Sequence, residues 1–114
     1  MIKTRAEQTK TSEYNASGKK AFDLYDLSEF RGISDKIKQF SYVELDPGEE
    51  VPYHVHEGNA ENYYIISGTG IYNDNGAEIP VSDGVITFTP SGSGHALRNV
   101  GSEKLLFIAL VLIN

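Results

Sequence analysis

The segments that decide the fold are Gly48–Gly68, which reads GEEVPYHVHEGNAENYYIISG, and Gly84–Asn99, which reads GVITFTPSGSGHALRN. They contain all the histidines of the 114-residue chain, which are His54, His56 and His95. Because alternate residues of a β-strand share a face, a strand through His54 points its two histidines the same way. Glu61 follows at the start of the next predicted strand. If neighbouring strands bring Glu61 and His95 alongside, the four side chains converge inside a barrel.

From Asp35 onward the sequence predicts many short strands separated by turns, because β-branched and aromatic runs alternate with clusters of Gly, Pro, Asn and Asp. The run Asn73-Asp74-Asn75-Gly76 is a strong hairpin signal, since Asn and Gly accept the positive φ of a tight turn. This pattern predicts an all-β sandwich or barrel. The predicted strands are Lys36–Leu45, Val51–His56, Asn62–Ile66, Gly70–Asn73, Ala77–Val81, Val85–Thr89, His95–Asn99 and Lys104–Ile113.

Residues 1–34 are predicted to form an N-terminal arm that packs on the barrel, and residues 35–114 the barrel itself. The first 20 or so residues are polar and poorly patterned, which is typical of an extended arm with room for one pairing strand. Asp23–Phe30 can hold one helical turn. The last predicted strand is apolar on both faces, so it is either covered on both sides or paired with another subunit. We therefore expect a homodimer.

Composition excludes several classes of function. The net charge of −6 repels phosphate backbones, so we expect no nucleic-acid partner. No stretch approaches the roughly 18–20 apolar residues that a spanning helix needs, and no secretory signal is visible, so we expect no membrane association and a cytoplasmic location. Cysteine is absent, which excludes disulfides and thiolate metal sites.

Neutral imidazoles and one carboxylate at a common point suit a divalent ion such as Mn, Fe, Ni, Co or Zn. The pair His54 and His56 taken alone has a simpler interpretation, because histidines at alternate strand positions are usually surface or hydrogen-bonded side chains. The spacing of the complete set favours the metal.

That spacing resembles the two motifs of the cupin superfamily, with every fixed position of both motifs filled in order. The first motif is matched by Gly48, His54, His56, Glu61 and Gly68, and the second by Gly84, Pro90, Gly92, His95 and Asn99. The resemblance implies a small single-domain cupin, a double-stranded β-helix or jelly-roll barrel. It also implies that His54, His56, Glu61 and His95 are the ligands of one divalent metal ion.

Four protein ligands on an ion that accepts six leave about two open positions, which suit a small oxygen-rich ligand. The resemblance therefore favours an enzyme of oxygenase, decarboxylase or isomerase type. The alternative is a non-catalytic module that binds a small molecule or a metal. A metal-free sugar epimerase ranks last, since it needs a histidine–aspartate pair in place of this set.

Strand alternation predicts the residues that line the pocket. If Glu61 points inward then so does Tyr63, which is either a core aromatic or a catalytic proton donor. Ile65, Ile86, Phe88 and Leu97 are the other predicted lining residues. Arg98 has the wrong alternation to grip a carboxylate beside the histidines, which argues against a dedicated oxalate-type decarboxylase.

Overall fold

The structure is a computed structural model that describes residues 2–11, 19–24 and 35–113. Its elements are a short 3-10 helix Arg5–Glu7 and the strands β1 Thr9–Lys10, β2 Lys19–Asp23, β3 Ile37–Leu45, β4 Glu50–Val55, β5 Asn59–Ser67, β6 Gly70–Asp74, β7 Ala77–Val81, β8 Ile86–Thr89, β9 Gly94–Asn99 and β10 Leu105–Ile113. Every strand predicted after Asp35 is confirmed, with its ends within three residues of the prediction. In the part of the chain so described, no helix is long and apolar enough to cross a membrane.

The strands form two antiparallel sheets that enclose one core. The six-stranded sheet has the order β1-β2-β3-β10-β5-β8, and the four-stranded sheet has the order β4-β9-β6-β7. Alternate residues of each strand turn inward, so that Val43, Ile65 and Phe107 of the first sheet meet Val51 and Leu97 of the second in one hydrophobic cluster. The functional side chains described below lie at one end of this core.

The β6–β7 connection confirms the predicted hairpin. Asn75 has a φ of 50° and Gly76 a φ of 105°, which are the left-handed conformations that this turn demands. The backbone N–H of Gly76 also donates to Asn73 Oδ1 at 2.7 Å, which closes the turn. The hairpin thereby fixes the register of the outer edge of the four-stranded sheet.

The described parts of the N-terminal arm belong to the six-stranded sheet. Strand β2 pairs with β3, with Ala21 opposite Val43, and β1 pairs with β2. Ala21 is fully buried, so the arm supplies part of the core as well as a pairing strand. The predicted helical turn Asp23–Phe30 lies largely outside the described residues, and Asp23 itself ends β2. The domain boundary after residue 34 stays a prediction.

Strand β10 lies in the middle of the six-stranded sheet, hydrogen-bonded to β3 and β5. One of its faces enters the core through Phe107 and Ala109. Its other face, with Leu106 and Ile108, is half-buried and belongs to the outer surface of the sheet. The core therefore explains the apolar character of one face, and the pairing of the other face with a second subunit stays a prediction.

Candidate metal centre

Four side chains from both sheets meet at one end of the core. His54 lies in β4 and His95 in β9, and the two are direct partners in the antiparallel register, so both side chains leave the four-stranded sheet on the same face. His56 comes directly after the end of β4. Glu61 lies in β5 of the opposite sheet. The site is therefore built across the interior, between the two layers.

The candidate ligand atoms lie within 4.8 Å of one another. His95 Nε2 is 3.1 Å from His54 Nε2 and 3.1 Å from His56 Nε2. Glu61 Oε1 lies 2.9 Å from His95 Nε2, 3.0 Å from His56 Nε2 and 3.8 Å from His54 Nε2. Atoms that bind one ion at about 2.1 Å and at right angles are about 3 Å apart. The spacing therefore fits a shared divalent ion.

Hydrogen bonds on the far side of each ring orient the histidines. His54 Nδ1 donates to the carbonyl of Pro52 at 2.8 Å, and His56 Nδ1 donates to Asn59 Oδ1 at 2.6 Å. Because these oxygens act as acceptors, the proton of each neutral ring lies on Nδ1, and the lone pair of Nε2 faces the cluster. This is the tautomer that a metal requires.

His95 is held by two buried hydroxyl groups. Its Nδ1 lies 2.8 Å from Tyr72 OH and 3.0 Å from Thr89 Oγ1, and these two oxygens lie 2.6 Å from each other. The ring of Tyr63 stacks on the His95 ring, with centroids 4.8 Å apart and an interplanar angle of 28°. His95 is fully buried, and these contacts help to fix the orientation of its ring.

The electrostatics keep the carboxyl group ionised. Burial acts to raise the pKa of Glu61, but hydrogen bonding to His54 and His95 and the electrostatic influence of His95 and His56 outweigh it, and the pKa falls to about 2. Burial lowers the pKa of His95, whereas the interaction with Glu61 raises the pKa of His54. An ionised carboxylate beside a buried neutral imidazole is the donor set that a borderline divalent ion prefers. The residues present fit such an ion.

A cavity of about 660 Å³ opens on the cluster. His54, His56 and Glu61 line it, and Tyr63 and Phe107 form part of its apolar wall. A volume of this size is typical of a small-molecule site. Because it reaches the cluster directly, a ligand in the cavity can approach the side chains that would hold the ion.

The other predicted lining residues are placed differently. Tyr63 is buried and lines the cavity as expected, but Ile65 and Leu97 are fully buried in the core and lie outside its wall. The prediction for Ile86 and Phe88 is wrong, because their side chains face outward and are 66% and 57% exposed.

The register of β8 against β5 explains this error. Thr89 pairs with Glu61 and Thr87 pairs with Tyr63, so the two threonines turn inward together with their partners. Phe88 and the residues in phase with it must then turn outward, whatever their hydrophobicity. The sequence-based prediction placed the apolar positions of β8 in the interior, which is an error of one residue in the alternation of its faces.

Sequence reasoning also missed several residues around the site. Tyr72, Thr89 and Asn59 orient the histidines. The alternation of inward and outward residues along β6 and β8 could have indicated that Tyr72 and Thr89 face the interior. Lys19 lines the cavity from the N-terminal arm, and no local pattern pointed to it.

Comparison with known proteins identifies the family. Residues 41–111 match the family described as Cupin domain, which covers more than half of the chain. The chain belongs to the cupin family. The match begins within β3 and ends within β10, so it contains all four candidate ligands.

A named protein and a solved structure, both from Thermotoga maritima, are similar to this chain. The chain is 35% identical over 96 residues to a protein named oxalate-binding protein, with 84% of this chain and 79% of that protein covered. It is 31% identical to a solved structure described as a predicted oxalate decarboxylase, with both chains fully covered and a TM-score of 0.85. KdgF from a Halomonas species has the same fold, with a TM-score of 0.79 at 16% identity over 100% of this chain and 94% of that one.

Proposed function

We propose that this cupin binds one divalent metal ion through His54, His56, Glu61 and His95 and holds a small oxygen-rich acid at that ion. The observation that carries the proposal is the convergence of three Nε2 atoms and one carboxylate oxygen within 4.8 Å of one another. We further infer that the two sheets form the double-stranded β-helix, or jelly roll, which the motifs implied. Manganese, iron, nickel, cobalt and zinc all accept these donors.

Two considerations support an acid as the ligand. The relatives named above are described as oxalate-binding and as a predicted oxalate decarboxylase. Four protein ligands leave about two positions of a six-coordinate ion for oxygen atoms of the ligand. Oxalate is therefore the first compound to test. A carboxylate ligand does not require an arginine beside the histidines here, because Lys19 and Lys38 also line the cavity and supply positive charge.

Catalysis is the second candidate, of oxygenase, decarboxylase or isomerase type. A divalent ion in this site would act as a Lewis acid and orient the bound oxygen atoms. The residue that favours catalysis is Tyr63, a buried phenol that lines the cavity and stacks on His95. A phenol so placed can donate a proton to a bound ligand, or it can simply pack against the imidazole. Binding without turnover would make the protein a small-molecule or metal-binding module.

The first experiment is a metal titration of the metal-free protein with Mn²⁺, Co²⁺, Ni²⁺ and Zn²⁺, and anaerobically with Fe²⁺. We expect one ion per chain, and a strong loss of affinity in the variant His95→Ala. Calorimetry with oxalate on the loaded protein then tests the ligand, and carbon dioxide release and oxygen consumption test turnover. Tyr63→Phe separates the two roles of the phenol, because a packing role leaves any turnover intact. No stoichiometric metal binding by the wild type would refute the proposal.

We also propose a homodimer, formed through the outer face of the six-stranded sheet. This face carries exposed apolar side chains on adjacent strands: Tyr64, Ile66, Ile86, Phe88 and Leu112. Contiguous apolar surface of this kind on a small protein is typical of an interface. A second copy suits the face because an isologous dimer covers both patches at once.

A further inference from the structure

Lys19 is a buried cation on the inner side of the six-stranded sheet. It is the first residue of β2, where it pairs with the fully buried Leu45, and it is only 9% exposed. Ala21, two residues further along, is also fully buried, so the alternation of β2 directs both side chains inward. Lysine is rarely buried to this extent, because its ammonium group is strongly hydrated and loses that hydration inside a protein. Lys19 is therefore a candidate functional group of the cavity.

The candidate metal centre opens into a cavity that the N-terminal arm also reaches. Lys19 lines the same cavity as His54 and Glu61. The cavity lining thus contains His54, His56 and Glu61 together with a buried lysine.

The charges around the cavity favour an anion once a metal ion is bound. The charged lining residues are Lys19, Lys38, Glu57 and Glu61, whose formal charges cancel. A divalent ion then leaves the cavity with two positive charges in excess, inside a chain whose net charge is −6. The field of the site therefore opposes that of the whole protein, and it attracts a dianion more strongly than a monoanion.

We propose that Lys19 selects for a second negative charge on the ligand, so that the site prefers small dicarboxylates to monocarboxylates. This inference rests on the proposed function, because the first carboxylate of the ligand would lie at the metal centre. The second carboxylate would form a charge-assisted hydrogen bond with the Lys19 ammonium group in the low-dielectric interior. Lys38 is exposed at the edge of the cavity, where water screens its charge, so it contributes less.

The cavity also admits acids larger than oxalate. Its volume of about 660 Å³ is in the range that holds drug-sized molecules, well above what a two-carbon acid fills. Malonate and succinate are therefore suitable probes as well as oxalate. Lactate is the matched monoanion, since its hydroxyl and carboxylate can chelate an ion in the same way but bring only one negative charge.

The test compares three variants in the metal-loaded protein. Lys19→Met removes the charge and keeps the length of the side chain, whereas Lys19→Arg keeps the charge. Lys20→Met is the matched control, because Lys20 is the next residue of β2 and its Nζ forms an ion pair with Asp46 Oδ2 at 2.7 Å away from the cavity. Each protein is first titrated with Co²⁺, and calorimetry then gives its affinity for oxalate, malonate, succinate and lactate.

We expect all variants to bind one Co²⁺ ion per chain, which shows that each folds and retains the centre. In Lys19→Met the affinity for at least one of the three dicarboxylates should fall by about 10-fold to 100-fold, as expected for a lost hydrogen bond between charged groups. The affinity for lactate should change by less than about threefold, because lactate has no second carboxylate. Lys19→Arg should restore most of the loss, and Lys20→Met should behave as the wild type.

The result distinguishes this inference from the proposed function. If the wild type fails to bind Co²⁺, the proposed function fails. If it binds Co²⁺ but Lys19→Met and Lys20→Met bind every dicarboxylate equally well, the metal centre stands and the role of Lys19 is refuted. An equal loss of dicarboxylate and lactate affinity in Lys19→Met also refutes it, because the second charge would then have no separate partner.

Discussion

Removing the hydroxyl of Tyr72 is expected to weaken metal binding, although Tyr72 is not itself a candidate metal ligand. In Tyr72→Phe, His95 Nδ1 loses an oxygen at 2.8 Å, but Thr89 Oγ1 remains at 3.0 Å as a second partner. The ring therefore keeps its orientation and loses about 1 kcal/mol of hydrogen-bond free energy, which corresponds to roughly a fivefold lower affinity. The variant Thr89→Val should have a similar effect, because Tyr72 then remains as the partner.

The double variant Tyr72→Phe/Thr89→Val removes both oxygens and leaves the N–H of a fully buried imidazole without either partner. An unsatisfied buried donor costs up to about 3 kcal/mol, so the affinity should fall by about 100-fold, more than the roughly 25-fold product of the two single effects. This non-additivity is the signature of a shared partner.

The assay is competition for Zn²⁺ or Co²⁺ between the protein and a chelator of known affinity. Urea unfolding of the metal-free proteins shows how much of each effect comes from general destabilisation. Tyr64→Phe is the matched control, because the Tyr64 side chain faces outward and is 48% exposed. An affinity of the double variant within a factor of about two of the wild type would refute the idea that these hydroxyls orient His95.

Three further predictions follow from the structure. The pKa of Glu61 is lowered from 4.5 to about 2, so the ionised carboxylate stabilises the metal-free protein above pH 4.5. This contribution is at most about 3 kcal/mol and is lost as the pH falls towards 2. Denaturant unfolding of the variant Glu61→Gln should lack this pH dependence. Gly68→Ala should lower the free energy of unfolding by more than Gly84→Ala in the same assay. Both glycines have positive φ, but a Cβ at Gly68 would lie 2.7 Å from the carbonyl oxygen of Lys104, whereas a Cβ at Gly84 meets nothing within 4 Å. Equal losses in the two variants would contradict this. Phe88→Glu should yield a monomer by light scattering with its Co²⁺ binding intact, and an unchanged dimer, or a monomeric wild type, would exclude the proposed interface.

Much of the fold was accessible from the sequence because the turn signals are local. The hairpin at Asn75 and Gly76 and the strand ends nearby depend on residues that carry their own conformational preferences. The set His54, His56, Glu61 and His95 could be predicted because a motif fixes its spacing, and the structure brings the four together.

What could not be predicted depends on pairing between distant strands. The inward phase of β8 is set by its register with β5, so the apolar Ile86 and Phe88 face outward while Thr89 approaches His95. Lys19 reaches the cavity because β2 pairs with β3 across a long stretch of sequence, and nothing in its neighbours reveals that pairing. Local alternation specifies that a strand has two faces, whereas its partner decides which face is buried.

The most direct test of the metal centre is an anomalous difference map from crystals of the protein loaded with Co²⁺ or Zn²⁺. One strong peak per chain is expected, at about 2.0–2.2 Å from the Nε2 atoms of His54, His56 and His95 and from a carboxylate oxygen of Glu61. A fully loaded crystal with no peak among these four side chains, or with its only peak elsewhere on the protein, would contradict the account.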